Sequence, residues 1–306
     1  MSPGLAPGVI CPVATPLRNQ QLDEAAFRRH LLALLPEVDG VVVLGSSGQL
    51  ALLLPEVASS VVAVAVEVCA GHVPVYVGVG DTSTPRVLAN LGRYPLRGTA
   101  GVLTCGPYFQ QVRDEGALEE HFLAVAAAAP VPLVLYNLPS AVGYSLSSGL
   151  VSRLATDPRV VGIKDSSGDL FLFQEYLRAQ GDSFTVFQGR EQLLVASIWL
   201  GAAGTVSALA NIAPRLLREA IGVTQAGDRE RAVLLQREVT DLGTLFDHGH
   251  WISALMAALA ELGIGSGEVS PPLPKLAGAD RLEIRRLLRG ASTENLLLAL
   301  AEPSHG

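Results

Sequence analysis

Short runs of apolar residues alternate along this chain with longer stretches in which apolar residues recur every three or four positions. The short runs are rich in β-branched residues and apolar on both faces, which predicts strands buried in a parallel sheet. The longer stretches predict helices that cover such a sheet. The predicted strands occupy residues 8–14, 41–44, 75–78, 101–104, 132–136, 160–163, 184–187 and 204–206.

Helices are predicted between these strands and after the last one. They span residues 22–35, 55–70, 117–129, 147–155, 169–179, 191–200 and 214–222, and the capping residues at 81–85 predict one more. Eight strand–helix pairs in succession predict an α/β fold, a closed (β/α)8 TIM barrel. A doubly wound open sheet is the alternative, but the Gly-x-Gly-x-x-Gly turn typical of it does not follow the first strand.

The sequence pattern from Asp228 onward predicts further helices, which a proline-rich connection at residues 271–274 interrupts. No linker or low-complexity segment marks a second independent domain. We therefore predict a barrel over residues 1–225 and a C-terminal helical extension, residues 226–306, packed on the barrel.

Composition narrows the class of protein. The 306 residues are 49% hydrophobic and 17% charged, so the chain can bury a large core. A net charge of −7 argues against binding to nucleic acid or to an anionic membrane. Three distant cysteines in apolar segments indicate reduced thiols, and the first residues lack the parts of a signal peptide. We expect a soluble, cytoplasmic protein.

Lysine is rare in this chain. Only Lys164 and Lys275 are lysines among its 22 basic residues, and Lys164 ends the predicted sixth strand. A strand-end lysine can simply extend its ammonium group to water. The alternative is a buried amine that attacks a carbonyl and forms a Schiff base.

The active site of a TIM barrel lies where the strands end. The residues at these ends include hydroxyls, two tyrosines, an amine and a guanidinium: Thr15, Gly45, Ser46, Ser47, Gly80, Asp81, Tyr108, Tyr136, Asn137, Lys164, Gly189, Arg190 and Ser207. A Gly-Ser-Ser-Gly turn can bind a small carboxylate through N–H groups and hydroxyls, although most such turns are plain turns. Tyr136 is either a buried aromatic or, beside a Schiff-base lysine, a proton shuttle.

Five segments together resemble the pyruvate-dependent class I aldolases and lyases, the family of dihydrodipicolinate synthase and N-acetylneuraminate lyase. The segments are 15–16, 45–49, 136–143, 162–169 and 201–213, and the resemblance extends over roughly residues 8–290. It implies a barrel with a C-terminal helical extension and a homotetramer built as a dimer of dimers. It also implies a reaction with pyruvate through a covalent imine, without metal or organic cofactor.

The resemblance implies a role for individual residues. Lys164 would form the imine with the 2-oxo carbon, and Tyr136 would relay protons. Ser46 and Ser47, beside Gly45, would hold the pyruvate carboxylate, with Ser46 also in the proton relay. Val206 would line the methyl group of pyruvate. Residues 247–250, Asp-His-Gly-His, are the nearest approach to a metal-binding cluster, and we expect them to form a surface or interface turn.

Three departures from the family pattern bear on substrate and mechanism. Ala141 stands where dihydrodipicolinate synthases carry an arginine for the carboxylate of the aldehyde substrate. Phe109 stands where relatives often have a tyrosine that enters the neighbouring subunit's site, and we expect the adjacent Tyr108 to serve in its place. Gln49 replaces a glutamate and removes a charge.

Arg190 follows the seventh strand, where relatives have an acidic or small residue. We expect it either to bind the distal carboxylate of a dicarboxylic substrate or to face solvent. The pattern favours an aldolase of the 4-hydroxy-2-oxoglutarate type. The alternatives are a 2-keto-3-deoxy sugar-acid aldolase or dehydratase, a dihydrodipicolinate synthase, and a barrel that binds 2-oxo acids without turnover.

Overall fold

Eight parallel strands close into a barrel in the computed structural model, which describes residues 5–276, 278–292 and 295–296. Each strand pairs with the next in the chain, and the last pairs with the first. The strands are β1 Gly8–Pro12, β2 Gly40–Val43, β3 Val75–Gly78, β4 Gly101–Cys105, β5 Leu133–Asn137, β6 Val160–Asp165, β7 Thr185–Gln188 and β8 Gly204–Val206. The prediction of a TIM barrel is confirmed.

Helices follow the strands and cover the outside of the barrel. They are α1 Glu24–Leu34, α2 Pro55–Cys69, α3 Thr84–Arg93, α4 Glu115–Ala128, α5 Ser148–Leu154, α6 Leu170–Leu177, α7 Leu194–Trp199 and α8 Pro214–Gln225. The predicted helix at 191–200 begins as a 3₁₀ turn, Glu191–Leu193, before α7. A short helix, Pro139–Val142, and a hairpin of Leu17–Arg18 with Gln21–Leu22 were not predicted, because they are too short to show periodicity.

The inside of the barrel is a packed core separate from the layer between strands and helices. Its buried side chains are Leu5, Ile10, Val42, Tyr76, Leu103, Val134, Tyr136, Val161, Phe187 and Val206. The side chains that alternate with them along the strands face the helices instead, as the two-residue period of a strand requires. The barrel interior is therefore filled, and space for a ligand lies at the C-terminal ends of the strands.

Within the described residues, three more α-helices follow the barrel: α9 Arg229–Gly243, α10 Trp251–Glu261 and α11 Gly278–Gly290. Gln236 of α9 accepts from the N–H of Val195 and donates to the carbonyl of Glu191, which ties α9 to the 3₁₀ turn after β7 and to the start of α7. The division at residues 225 and 226 stays a prediction, and the end of the predicted extension, from residue 297, lies outside the described residues. No helix in the described part of the chain is long and apolar enough to span a bilayer.

Candidate active site

Lys164 and Tyr136 lie side by side on neighbouring strands. The register of β5 and β6 pairs the two residues directly. Lys164 Nζ lies 4.2 Å from the centroid of the Tyr136 ring. Lys164 is only 6% exposed, and Tyr136 only 7%. The lysine does not extend into water, so the structure removes the alternative of a solvated strand-end ammonium.

A bulge in β6 directs Lys164 into the barrel. The register shifts between Leu133 and Val134, so that Leu133 pairs with Val160 but Val134 pairs with Gly162. Val160 faces the helices and Val161 faces the interior. Strict alternation from Val160 would turn residue 164 towards the helices, whereas the extra residue at the bulge reverses this order. Lys164 therefore shares the inner face with Tyr136.

Gly189 allows the end of β7 to approach the lysine. A Cβ atom at this position would lie 3.2 Å from Lys164 Cε and 2.8 Å from the Asp165 carbonyl oxygen, and would overlap Ser166 Oγ. Any larger residue would therefore displace the lysine or the loop that follows it. The sequence placed Gly189 at a strand end but did not predict this contact.

A buried hydrogen-bond cluster around Asp165 holds the ends of β5 and β6 together. Asn137 Nδ2 donates to Asp165 Oδ1 at 2.8 Å, and the Ser167 N–H donates to the same oxygen at 3.0 Å. Ser167 Oγ donates to Asp165 Oδ2 at 2.9 Å. Burial raises the pKa of the Asp165 carboxyl, and these hydrogen bonds partly offset that effect. Asn137 thus supports the strand ends.

The turn after β2 brings two serine hydroxyls to the same end of the barrel. It begins at Leu44, a buried residue with φ of 56°, which is sterically unfavourable for leucine. Gly78 lies against the Leu44 carbonyl, where a Cβ atom would overlap it. The Gln49 N–H then donates to the Ser46 carbonyl at 3.0 Å. Backbone strain of this kind persists where the surroundings impose it, often at functional sites.

Gln49 has a structural role in this turn. It is 1% exposed, its Nε2 donates to the Thr15 carbonyl at 3.3 Å, and its Oε1 accepts from the Ser270 N–H at 2.9 Å. One amide thus satisfies both an acceptor and a donor of the backbone. Gln49 joins the loop after β1 to the C-terminal segment near Ser270.

Six of the predicted residues line one cavity of about 650 Å³ at the C-terminal end of the barrel: Ser46, Ser47, Tyr136, Lys164, Arg190 and Val206. This volume is typical of a small-molecule site. Gly45 and Tyr108 line an adjoining cavity of about 140 Å³, which shares Ser46 and Tyr136 with the first. Phe109 lines neither cavity; it is 85% exposed, with φ of 74°.

Tyr108 retains its phenolic proton in this position. Burial, reinforced by the charge of Asp81, raises the pKa of Tyr108 to about 12. At neutral pH its hydroxyl can therefore donate a hydrogen bond into the smaller cavity.

Arg190 is held at the rim of the larger cavity. Its Nε donates to the Ser166 carbonyl at 3.0 Å, and its N–H donates to Gln188 Oε1 at 2.9 Å. The side chain is exposed to solvent and also lines the cavity, and its binding to a carboxylate stays a prediction.

Residues 247–250 are exposed or partly exposed, as expected for a surface turn. Asp247 and His250 in addition line the larger cavity, together with Trp251 and the buried Glu191, which the sequence did not predict. They do so because the chain between α9 and α10 returns across the C-terminal end of the barrel. No local pattern predicts such a return. Among the described residues, no group of three or more His, Cys, Asp or Glu is arranged to hold a metal ion.

Comparison with known proteins agrees with this architecture. The model of the Dihydrodipicolinate synthetase family matches residues 6–291. A 4-hydroxy-tetrahydrodipicolinate synthase of Syntrophus aciditrophicus is 30% identical over 284 residues, 92% of this chain and 97% of that protein.

Two solved structures with bound pyruvate are also similar. YagE, a prophage protein of the dihydrodipicolinic acid synthase family from E. coli K12, superposes with a TM-score of 0.88 at 26% identity and covers 94% of this chain and 98% of its own. The chloride-inhibited dihydrodipicolinate synthase from Acinetobacter baumannii superposes with a TM-score of 0.87 at 27% identity, over 93% and 98% of the two chains.

Proposed function

Because this chain belongs to the dihydrodipicolinate synthetase family, whose members are class I lyases that form an imine through a lysine, we propose that it cleaves a 4-hydroxy-2-oxo acid to pyruvate and an aldehyde. The observation that carries the proposal is the buried pair of Lys164 and Tyr136. Lys164 attacks the 2-oxo carbon, and the resulting carbinolamine loses water to give the imine.

Tyr136 moves the protons of this reaction. With Ser46, it protonates the departing carbinolamine oxygen and takes the proton of the 4-hydroxyl group. The C3–C4 bond then breaks, its electron pair moves towards the imine nitrogen, and the aldehyde leaves. Protonation of the enamine at C3 and hydrolysis of the imine release pyruvate. The position of both hydroxyls on the cavity of Lys164 supports these assignments.

The pyruvate half of the substrate has its own binding groups. Ser46 and Ser47, with the backbone at Gly45, hold the carboxylate, and Val206 lies against the methyl group. All four line the larger or the adjoining cavity. Tyr108 donates into the smaller cavity and takes part in the proton relay, since Phe109 carries no hydroxyl.

The distal half of the substrate favours the 4-hydroxy-2-oxoglutarate type. Ala141 lines the cavity without a charge, where dihydrodipicolinate synthases that this chain resembles carry an arginine. Arg190 instead supplies a guanidinium group at the rim, suited to a carboxylate. The second candidate is a 2-keto-3-deoxy sugar-acid aldolase, favoured by Glu191, a buried carboxylate on the cavity that can accept from sugar hydroxyls.

The test is borohydride reduction in the presence of pyruvate, followed by peptide mass mapping. The expected adduct lies on Lys164, and Lys275, which is exposed, serves as the internal control. The Lys164→Arg variant should form no adduct and release no pyruvate from 4-hydroxy-2-oxoglutarate. An adduct on Lys275 alone, or none, would contradict the proposal.

A substrate panel separates the candidate activities. Pyruvate release is measured from 4-hydroxy-2-oxoglutarate and from a 2-keto-3-deoxy sugar acid, and condensation of pyruvate is measured with aspartate semialdehyde. Highest kcat/KM for the first supports the proposed type. A trapped imine without turnover of any substrate would indicate a binding protein.

We also propose a cytoplasmic homotetramer, built as a dimer of dimers, that uses no metal or organic cofactor. Two exposed aromatic residues support assembly, Phe109 at 85% and Phe171 at 74% exposure. Light scattering that gives the mass of a monomer would contradict the tetramer.

A further inference from the structure

The segment between α9 and α10 supplies a histidine to the larger cavity. His250 is half-buried, and its ring stacks near that of Trp251 with centroids 6.2 Å apart. His250 Nδ1 accepts from the Ile252 N–H at 3.3 Å, so the side chain also caps α10. Because Nδ1 is an acceptor, the proton of the neutral ring is on Nε2. Within the described residues, Nε2 has no hydrogen-bond partner.

Arg190 offers its guanidinium to the same cavity in a fixed orientation. Its Nε is occupied by the Ser166 carbonyl, which follows Lys164 by two residues. Neither Nη atom has a hydrogen bond or ion pair with any described residue. Both Nη groups, with four of the five N–H donors of the guanidinium, are therefore free, and the side chain loses little further freedom when they bind an anion.

The other charged groups on the cavity are not available to bind an anion away from Lys164, so Arg190 and His250 remain for that purpose. Lys164 belongs to the pyruvate end. Glu191 accepts from Ser207 Oγ at 2.9 Å and is 7% exposed, while Asp247 is exposed and forms no ion pair with a described residue. Among the charged and imidazole groups that line this cavity in the described structure, the uncommitted donors away from the lysine are thus the two Nη groups and one imidazole N–H.

We infer that Arg190 and His250 form the binding site for the carboxylate of the aldehyde half, so that the enzyme prefers 4-hydroxy-2-oxo acids with a second carboxylate. This inference rests on the proposed function and deepens it. Arg190 belongs to the barrel and His250 to the segment after α9. Substrate selection is therefore shared between the barrel and the chain that crosses its C-terminal end.

Two substrates test the inference, 4-hydroxy-2-oxoglutarate and 4-hydroxy-2-oxopentanoate, in which a methyl group replaces the distal carboxylate. The quantity measured is the ratio of their kcat/KM values. Arg190→Gln should lower this ratio about 100-fold, mostly through KM for the dicarboxylate, because the distal carboxylate loses its hydrogen bonds to a charged donor. His250→Ser should lower it about tenfold. Serine retains the helix cap, so the loss reports the missing imidazole.

His248→Ser is the matched control in the same segment. His248 does not line the cavity, and its Nδ1 lies 3.8 Å from Asp280. The ratio should keep its parent value in this variant. A parent ratio near one, or equal losses on both substrates in the His250 and Arg190 variants, would overturn the inference. Pyruvate trapping on Lys164 is measured in every variant. If the inference fails while trapping is retained, only the carboxylate site of Arg190 and His250 is contradicted. If the parent traps no pyruvate, the proposed function itself is contradicted.

Discussion

At the scale of single residues, the two lysines of the chain occupy opposite environments. Lys275 is exposed, whereas Lys164 is 6% exposed between the Tyr136 ring and the backbone at Gly189. The lysine can approach β7 closely because Gly189 has no side chain. A glycine just after one strand thus influences the position of a lysine at the end of the neighbouring strand.

We predict that Gly189→Ala slows pyruvate imine formation about tenfold or more, because its Cβ would displace Lys164 or Ser166. Gly222→Ala in α8 is the control, since nothing lies within 4 Å of its added Cβ. The Gly222→Ala substitution should raise the free energy of unfolding by about 0.5–1 kcal/mol. Borohydride trapping rates and Tm measure both effects. A Gly189→Ala enzyme that traps pyruvate at the parent rate would show that the close contact is dispensable.

At the scale of elements, the pair of β5 and β6 determines the geometry of the site. Tyr136 pairs with Lys164 on the inner face, and Asn137 pairs with Asp165 one residue further on. The hydrogen bonds of Asp165 to Asn137 and Ser167 join the two strand ends just beyond Tyr136 and Lys164. The relative position of the Tyr136 and Lys164 side chains therefore depends on a buried polar cluster.

The variants Asp165→Asn and Asp165→Leu separate hydrogen bonding from charge. Asparagine can still accept from Asn137 and Ser167, and it removes a carboxylate whose pKa is raised by burial, so Tm should stay the same or rise. Leucine leaves buried donors unpaired and should cost about 1–3 kcal/mol of stability for each. It should also slow imine trapping about tenfold or more. If asparagine proves as damaging as leucine in both measurements, the negative charge itself is needed.

At the scale of the whole molecule, buried uncharged side chains form hydrogen bonds that join the barrel strands to the helices around them. His30 of α1 hydrogen-bonds through Nε2 to Asn211 Oδ1 at 3.0 Å, and Asn211 Nδ2 donates to the Pro12 carbonyl. His30 Nδ1 is buried without a partner in the described structure. Burial lowers the pKa of His30 to about 4, and it lowers the pKa of His121 to about 4 as well.

These shifts predict a loss of stability in mild acid. The folded-state pKa of His30 lies below its ordinary value of 6.5. The stability contributed by its buried, neutral imidazole is therefore complete above pH 6.5 and is lost as the pH falls towards 4. The loss for His30 amounts to about 3 kcal/mol. The free energy of unfolding, measured by urea denaturation at pH 7.5 and 4.5, should fall less in His30→Gln than in the parent. Equal falls would assign the acid sensitivity to other groups.

The sequence by itself determined the number, type and order of the barrel elements, because strand and helix periods depend on neighbouring residues. It also placed Lys164, Tyr136, Ser46, Ser47 and Arg190 at strand ends, since parallel strands of a barrel end on one face. Roles for these residues came from the resemblance to a family and stay predictions.

The tertiary structure decided the rest through contacts between residues far apart in the chain. The bulge at Val161 turns Lys164 inward, and it exists only in the pairing with β5. Gln49 binds Ser270, more than two hundred residues away, so its structural role was hidden from sequence patterns. The return of residues 247–250 across the barrel brings His250 to the cavity, because long-range packing of α9 and α10, and no local period, sets the path between them.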